Sequence, residues 1–95
     1  MASKRDAKKD VQFVITEVIS DCLNFLYMNP DKKAADIHGI VEEMLELHNE
    51  LFYRINHIEG KDNPKLVRAH FKSIYSDLLG KTDEAFSKLS EIAKS

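Results

Sequence analysis

One stripe of side chains limits what this chain can fold into more than any other feature. Ile37, Val41, Met44, His48, Leu51, Ile55 and Ile58 recur at alternating steps of four and three residues. With 3.6 residues per turn, that spacing puts all seven on one side of an α-helix and leaves Glu42, Glu43, Glu46, Glu50 and Arg54 toward water. A long amphipathic helix cannot cover its own greasy side, so the stripe predicts further helices packed against it.

Two flanking segments supply them. In the first, Val11, Ile15, Val18, Cys22 and Phe25 form a stripe widened by Val14, Ile19 and Leu26. Its β-branched residues would suit a strand, but the helical period persists over four turns and strict alternation does not. Ser3 followed by Asp6 resembles a capping box with the shorter acid, so this helix is expected over about 5–28. Asn29-Pro30 then closes it and opens the next, with Asn29 as N-cap and Pro30 as first residue of a helix over 30–59. Gly60 suits the position just past its end.

Lys61-Asp62-Asn63-Pro64 repeats the device and makes Asn63 the cap of a third helix over 64–93. That helix carries Val67, Phe71, Ile74, Leu78, Thr82, Ala85, Leu89 and Ile92, with Tyr75, Leu79 and Phe86 beside them. Gly80 falls on its polar side and the stripe keeps phase across it, which favours one continuous helix; a break at Gly80 is the alternative. Connectors this short force neighbours to run antiparallel. The expectation is a single all-α domain over 1–95, an elongated antiparallel three-helix bundle.

Composition narrows the classes. At 43% hydrophobic and 32% charged, the chain has apolar side chains enough for a core and polar ones enough for a wet surface, unlike a disordered segment. Cys22 is the only cysteine, so no intramolecular disulfide can form, which fits a reducing compartment. The apolar run after Val11 is interrupted by Gln12, Thr16, Glu17, Ser20 and Asp21, so neither a signal peptide nor a membrane span is expected and the cytoplasm is the default. The apolar arcs exceed the ~100° that one covered face needs. Pairing with a second copy would cover the excess, so a homodimer is the expected assembly.

Residues able to carry chemistry are few. His48 stands in the middle of the second stripe and is the candidate buried polar position, either a structural histidine or the centre of a metal or small-molecule site. Hairpin register places Ser73 to Asp77 level with it, so Tyr75 or Asp77 would orient the ring. The Glu-x-x-His spacing of bundle metal sites is absent, and His38 with Glu42 reads as a surface pair, so no metal or cofactor is expected. His57 and His70 read as boundary residues near the second connector.

Cys22, enclosed in the reading by Val18, Ile19, Leu23 and Leu26, is a small core hydrophobe; His38 is the base nearest to it in register. No phosphate-cradling, nucleophile-elbow or zinc-protease motif occurs, so a non-enzymatic role is expected. Lys65, Arg68 and Lys72 share one face of the third helix and could track phosphates. The acidic second helix and a net charge of −2 argue for a solvated basic face, and nucleic acid is not the expected partner. Phe13 and Tyr53 break the pattern by lying opposite their stripes, and are candidate interface residues.

Four stretches carry a resemblance: Lys4-Arg5-Asp6-Ala7-Lys8-Lys9-Asp10-Val11, Glu17-Val18-Ile19-Ser20-Asp21-Cys22, Asn49-Glu50-Leu51-Phe52-Tyr53-Arg54-Ile55-Asn56 and Gly60-Lys61-Asp62-Asn63-Pro64-Lys65-Leu66-Val67. Together they resemble a group of small, uncharacterised helical proteins from Bacteroides-like anaerobic bacteria. The resemblance implies a bacterial cytosolic setting and assigns no activity. What remains is a helical interaction or adaptor module that self-associates through apolar helix faces, with a nucleic-acid-associated factor or a site around His48 as alternatives.

Overall fold

Three helices account for nearly all of the computed structural model, which describes residues 3–30, 33–58, 60 and 62–94. They are α1 (Lys4–Met28), α2 (Ala34–Asn56) and α3 (Pro64–Lys94), and no strand occurs among the described residues. Each helix packs against both others in a rod of 53 × 18 × 18 Å, the expected all-α three-helix bundle.

The core is one continuous column. From α1 it takes Ala7, Val11, Ile15, Val18 and Cys22; from α2, Ile37, Ile40, Met44, Leu47, Leu51 and Ile55; from α3, Phe71, Ile74, Leu78, Thr82 and Ala85. On α2 this corrects the expected stripe. Ile40 and Leu47 are buried where Val41 and His48 were expected, and the latter two are half-buried on the flank. A helix wedged between two neighbours centres its apolar arc between them, so residues on one edge of a wide stripe move out of the middle.

The caps are partly those the sequence indicated. Ser3 Oγ accepts from the Asp6 amide at 3.1 Å, and Asn63 Oδ1 accepts from the amides of Lys65 and Leu66 at 3.0 and 3.4 Å. Asn29 does the opposite of what was expected. Its amide and its side-chain Nδ2 both donate to the Phe25 carbonyl, at 2.9 and 3.2 Å, so it closes α1 instead of opening α2. An asparagine carries a donor as well as an acceptor, and here the donor meets an orphan carbonyl. The second helix therefore starts later, at Ala34, behind Lys33 in the left-handed region at φ 41°. At its other end α2 stops at Asn56; Glu59, its expected last residue, and Lys61 of the connector lie outside the described residues.

α3 runs unbroken through Gly80, where an added Cβ would meet open space. Thr82, the buried polar residue of the core, turns its hydroxyl back onto the Leu78 and Leu79 carbonyls at 2.8 and 3.2 Å, which satisfies it without a partner helix. Polar ties hold the helices in register around the column. Tyr75 Oη donates to Asp10 Oδ2 at 2.6 Å, and Lys88 Nζ lies 3.1 Å from Glu43 Oε2. Arg54, expected toward water, instead reaches across to α3 and donates to Asp77 Oδ2 at 2.7 Å and Ser73 Oγ at 2.8 Å. His70 Nε2–H donates to the Arg54 carbonyl at 2.7 Å beside them.

Candidate functional site

His48 does not form a buried site. The ring is half-buried, stacks on Phe52 with centroids 4.1 Å apart and planes inclined at 23°, and its Nδ1–H points at Asn49 Oδ1 at 3.4 Å. Neither residue expected to orient it does so. Asp77 is paired with Arg54 and Tyr75 with Asp10, because α3 sits further along α2 than simple hairpin counting suggests. Phe52 in turn lies under Lys8, whose Nζ is 5.8 Å from the ring centroid, so His48 and Phe52 line the side of α2 that meets α1.

Two of the other histidines, His57 and His70, are spent on backbone. His57 stacks on Tyr53 at 4.0 Å and its Nδ1–H donates to the Tyr53 carbonyl at 2.8 Å, which holds the end of α2. His38 and Glu42 are exposed, and no group of three or more His, Cys, Asp or Glu side chains able to hold a metal occurs among the described residues. Cys22 is fully buried. Burial pushes its thiol above the ordinary value and the neighbouring Asp21 carboxylate pushes it the same way, so both causes oppose the thiolate a nucleophile needs. His38 is on the surface and offers it no base.

The surface carries the remaining candidates. Lys65, Arg68 and Lys72 are all exposed and share a face of α3. Phe13 is 67% exposed and Tyr53 63%, each on the outer side of its own helix, two residues from buried neighbours. The structure does not bring the two together, and Tyr53 is partly covered by His57.

Phe13 instead belongs to a second line on α1 that apolar counting misses. Lys9, Phe13, Thr16, Ser20, Leu23 and Tyr27 recur at steps of four, three, four, three and four, and all six are exposed. Leu23, expected to help enclose Cys22, is 51% exposed, and Tyr27 is 89% exposed. This line runs down the side of α1 opposite Val11, Ile15, Val18 and Cys22. A shallow depression beside it is lined by Lys9, Gln12, Phe13, Thr16 and Glu17. α1 therefore has a heptad-like seam on each side, one inside the bundle and one on its surface. Two-sided apolar character also makes α1 long and apolar enough, by length and composition, to cross a membrane.

Leu79 and Phe86 on α3 are also exposed, about two turns apart, and share their face with exposed Lys72, Ser76, Asp83 and Ser90, so that face carries two large apolar residues where the α1 face carries three. Comparison with family models, with curated proteins and with solved structures finds no match.

Proposed function

We propose that this chain is a small non-enzymatic interaction module of the cytosol that self-associates through apolar helix surface left over once the bundle is built. One observation carries the reading: Phe13, Leu23 and Tyr27 stand exposed along a single face of α1, at helical spacing, while the opposite face of the same helix is fully used by the core. Scattered surface hydrophobes are ordinary; a line of them in register is the signature of a contact surface.

A supporting feature is the closed core, a continuous apolar column whose buried Thr82 bonds back to its own helix. The polar side chains that reach across the bundle are engaged with one another, as Arg54 is with Asp77 and Ser73, and so act as register locks. Sedimentation equilibrium tests the reading: the weight-average mass should climb with concentration from 10.9 kDa toward twice that value. A mass fixed at the single-chain value up to hundreds of micromolar would exclude self-association.

A further inference from the structure

We propose that the end of the rod where α1 and α3 begin binds single-stranded nucleic acid, its cations holding phosphates and the stacked pair Tyr53 and His57 offering a platform for a base. This stands apart from the self-association reading and uses a different surface. Its basis is how charge is distributed along the bundle. The net charge of −2 conceals a division. At the end built from residues 4–10, 50–58 and 62–72, the described residues carry eight cations against four carboxylates; over the rest of the described chain the ratio is four to ten.

The fold gathers these cations. Running up, down and up, the helices set the first turns of α1 and α3 beside the last turn of α2. The Tyr75–Asp10 hydrogen bond places Lys4, Arg5 and Lys9 level with the first three turns of α3, where Lys65, Arg68 and Lys72 stand. All six are exposed, and among the described residues none of them makes an ion pair. The other two cations are engaged, Arg54 with Asp77 and Lys8 over Phe52. Helix stability does not explain the placement. The N-terminus of a helix favours carboxylates and its C-terminus favours cations. Yet Lys4 and Arg5 open α1 beside a single acid, Asp6, and its last turn has no basic residue; Lys65 opens α3, whose first turn has no acidic one. Cations kept where the backbone disfavours them, and left unpaired, point to an anion from outside the chain.

The acidic half of the rod does not cancel them. Glu43 is tied to Lys88, which stands about 20 Å along α3 from Tyr75. Charges that far apart are screened, since the Debye length is about 8 Å at physiological salt. Of the four carboxylates at the basic end, Asp10 accepts from Tyr75, while Asp6, Glu50 and Asp62 remain and limit the affinity. The aromatic pair decides which polyanion fits. Tyr53, 63% exposed, stacks on exposed His57 with centroids 4.0 Å apart at the C-terminal end of α2. Lys8, lying over the adjacent Phe52, brings the basic turns of α1 to its border. An exposed ring beside a row of cations recurs where proteins hold unpaired bases, the ring taking a base face and the cations taking phosphates. A duplex hides its base faces and an acidic protein has none.

Anisotropy of a fluorescein-labelled oligothymidine of about 20 nucleotides tests this with the full chain. Binding is expected, and with about five phosphates neutralised the affinity should fall roughly hundredfold between about 50 and 200 mM salt. Lys65→Gln/Arg68→Gln/Lys72→Gln should weaken it by roughly tenfold or more and flatten that salt dependence. Lys81→Gln/Lys88→Gln/Lys94→Gln, which changes the net charge equally at the other end, should leave it unchanged. Tyr53→Ala should weaken it by about fivefold or more and leave the salt dependence as it is. The wild-type salt dependence needs no variant, so the test holds even where a substitution unfolds the chain. Absence of binding at low salt overturns the proposal, as do equal losses from the two triple variants, which would reduce the attraction to net charge. Tighter binding of a duplex, or an affinity indifferent to Tyr53→Ala, overturns the base platform and the preference for single strands. Displacement by polyglutamate as effective as by unlabelled oligothymidine assigns the end to an acidic protein and overturns nucleic acid.

Discussion

The Tyr75 hydroxyl donates to Asp10 Oδ2 at 2.6 Å, joining residues 65 positions apart and fixing how far α3 slides along α1. Burial first, then the hydrogen bond to Asp10, then the negative charges of Asp10 and Asp6 push this phenol up to about 12. A raised value means that the folded chain holds the proton more tightly than the unfolded chain. The contribution to stability is therefore complete below the ordinary value near 10 and is lost as pH climbs from there to about 12. Spectrophotometric titration should show a phenol ionising near 12 that is missing in Tyr75→Phe and shifted down in Asp10→Asn. An unchanged profile in Asp10→Asn would contradict the assignment.

Arg54 is the corresponding link between α2 and α3. Its guanidinium uses two separate nitrogens for Asp77 and Ser73, a fork that an ammonium cannot reproduce. The side chains of Arg54 and Asp77 are 23% and 51% exposed, so solvent screening keeps the pair modest. Arg54→Ala should cost about 1 kcal/mol and Arg54→Lys about half of that, with the difference shrinking in high salt. Denaturant midpoints measure both. Equal losses for the two substitutions would show that the fork, and not the charge, is what matters, and an Arg54→Lys chain as stable as the wild type would show the reverse.

Gly60 is required by two separate demands. Its φ of +68° is in the left-handed region, and an added Cβ would sit 2.7 Å from Leu66 Cδ1. Gly60→Ala should destabilise by roughly 1–2 kcal/mol through the backbone term and the clash together. Truncating the neighbour separates them: Gly60→Ala in a Leu66→Ala background should cost less than in the wild type, with the backbone part remaining. An equal cost in both backgrounds would remove the steric component.

Cys22 offers a probe of the core. Fully buried and with its thiol pushed up by burial and by Asp21, it should react with a thiol reagent only as fast as the bundle opens. The reaction should accelerate by orders of magnitude in denaturant. Rapid labelling of the native chain would mean that α1 leaves the bundle far more readily than its packing implies.

The fold was legible because period and caps agree. The stripes of α1 and α3 and the caps at Ser3 and Asn63 could be read directly, since each depends on residue type at fixed spacing. Asn29 was not legible: the same side chain can cap either end of a helix, and only the chain's path decides whether its donor or acceptor is used. His48 was misplaced by one edge of a wide stripe, because the centre of an apolar arc depends on where both neighbouring helices lie. The outer face of α1 escaped notice for another reason. Half of its members are Lys9, Thr16 and Ser20, so counting apolar residues leaves Phe13 looking solitary, although Leu23 and Tyr27 share its face further along the helix.

Under the proposed self-association, the inner side of α1 builds the bundle and its outer side, with Phe13, Leu23 and Tyr27, holds a second copy. The concentration dependence of thermal unfolding tests it most directly, because only a native state that associates gains stability from added protein. The wild-type Tm should rise steadily over a hundredfold increase in concentration, and the Phe13→Glu/Tyr27→Glu chain should melt at one temperature throughout. A wild-type Tm indifferent to concentration would contradict the account.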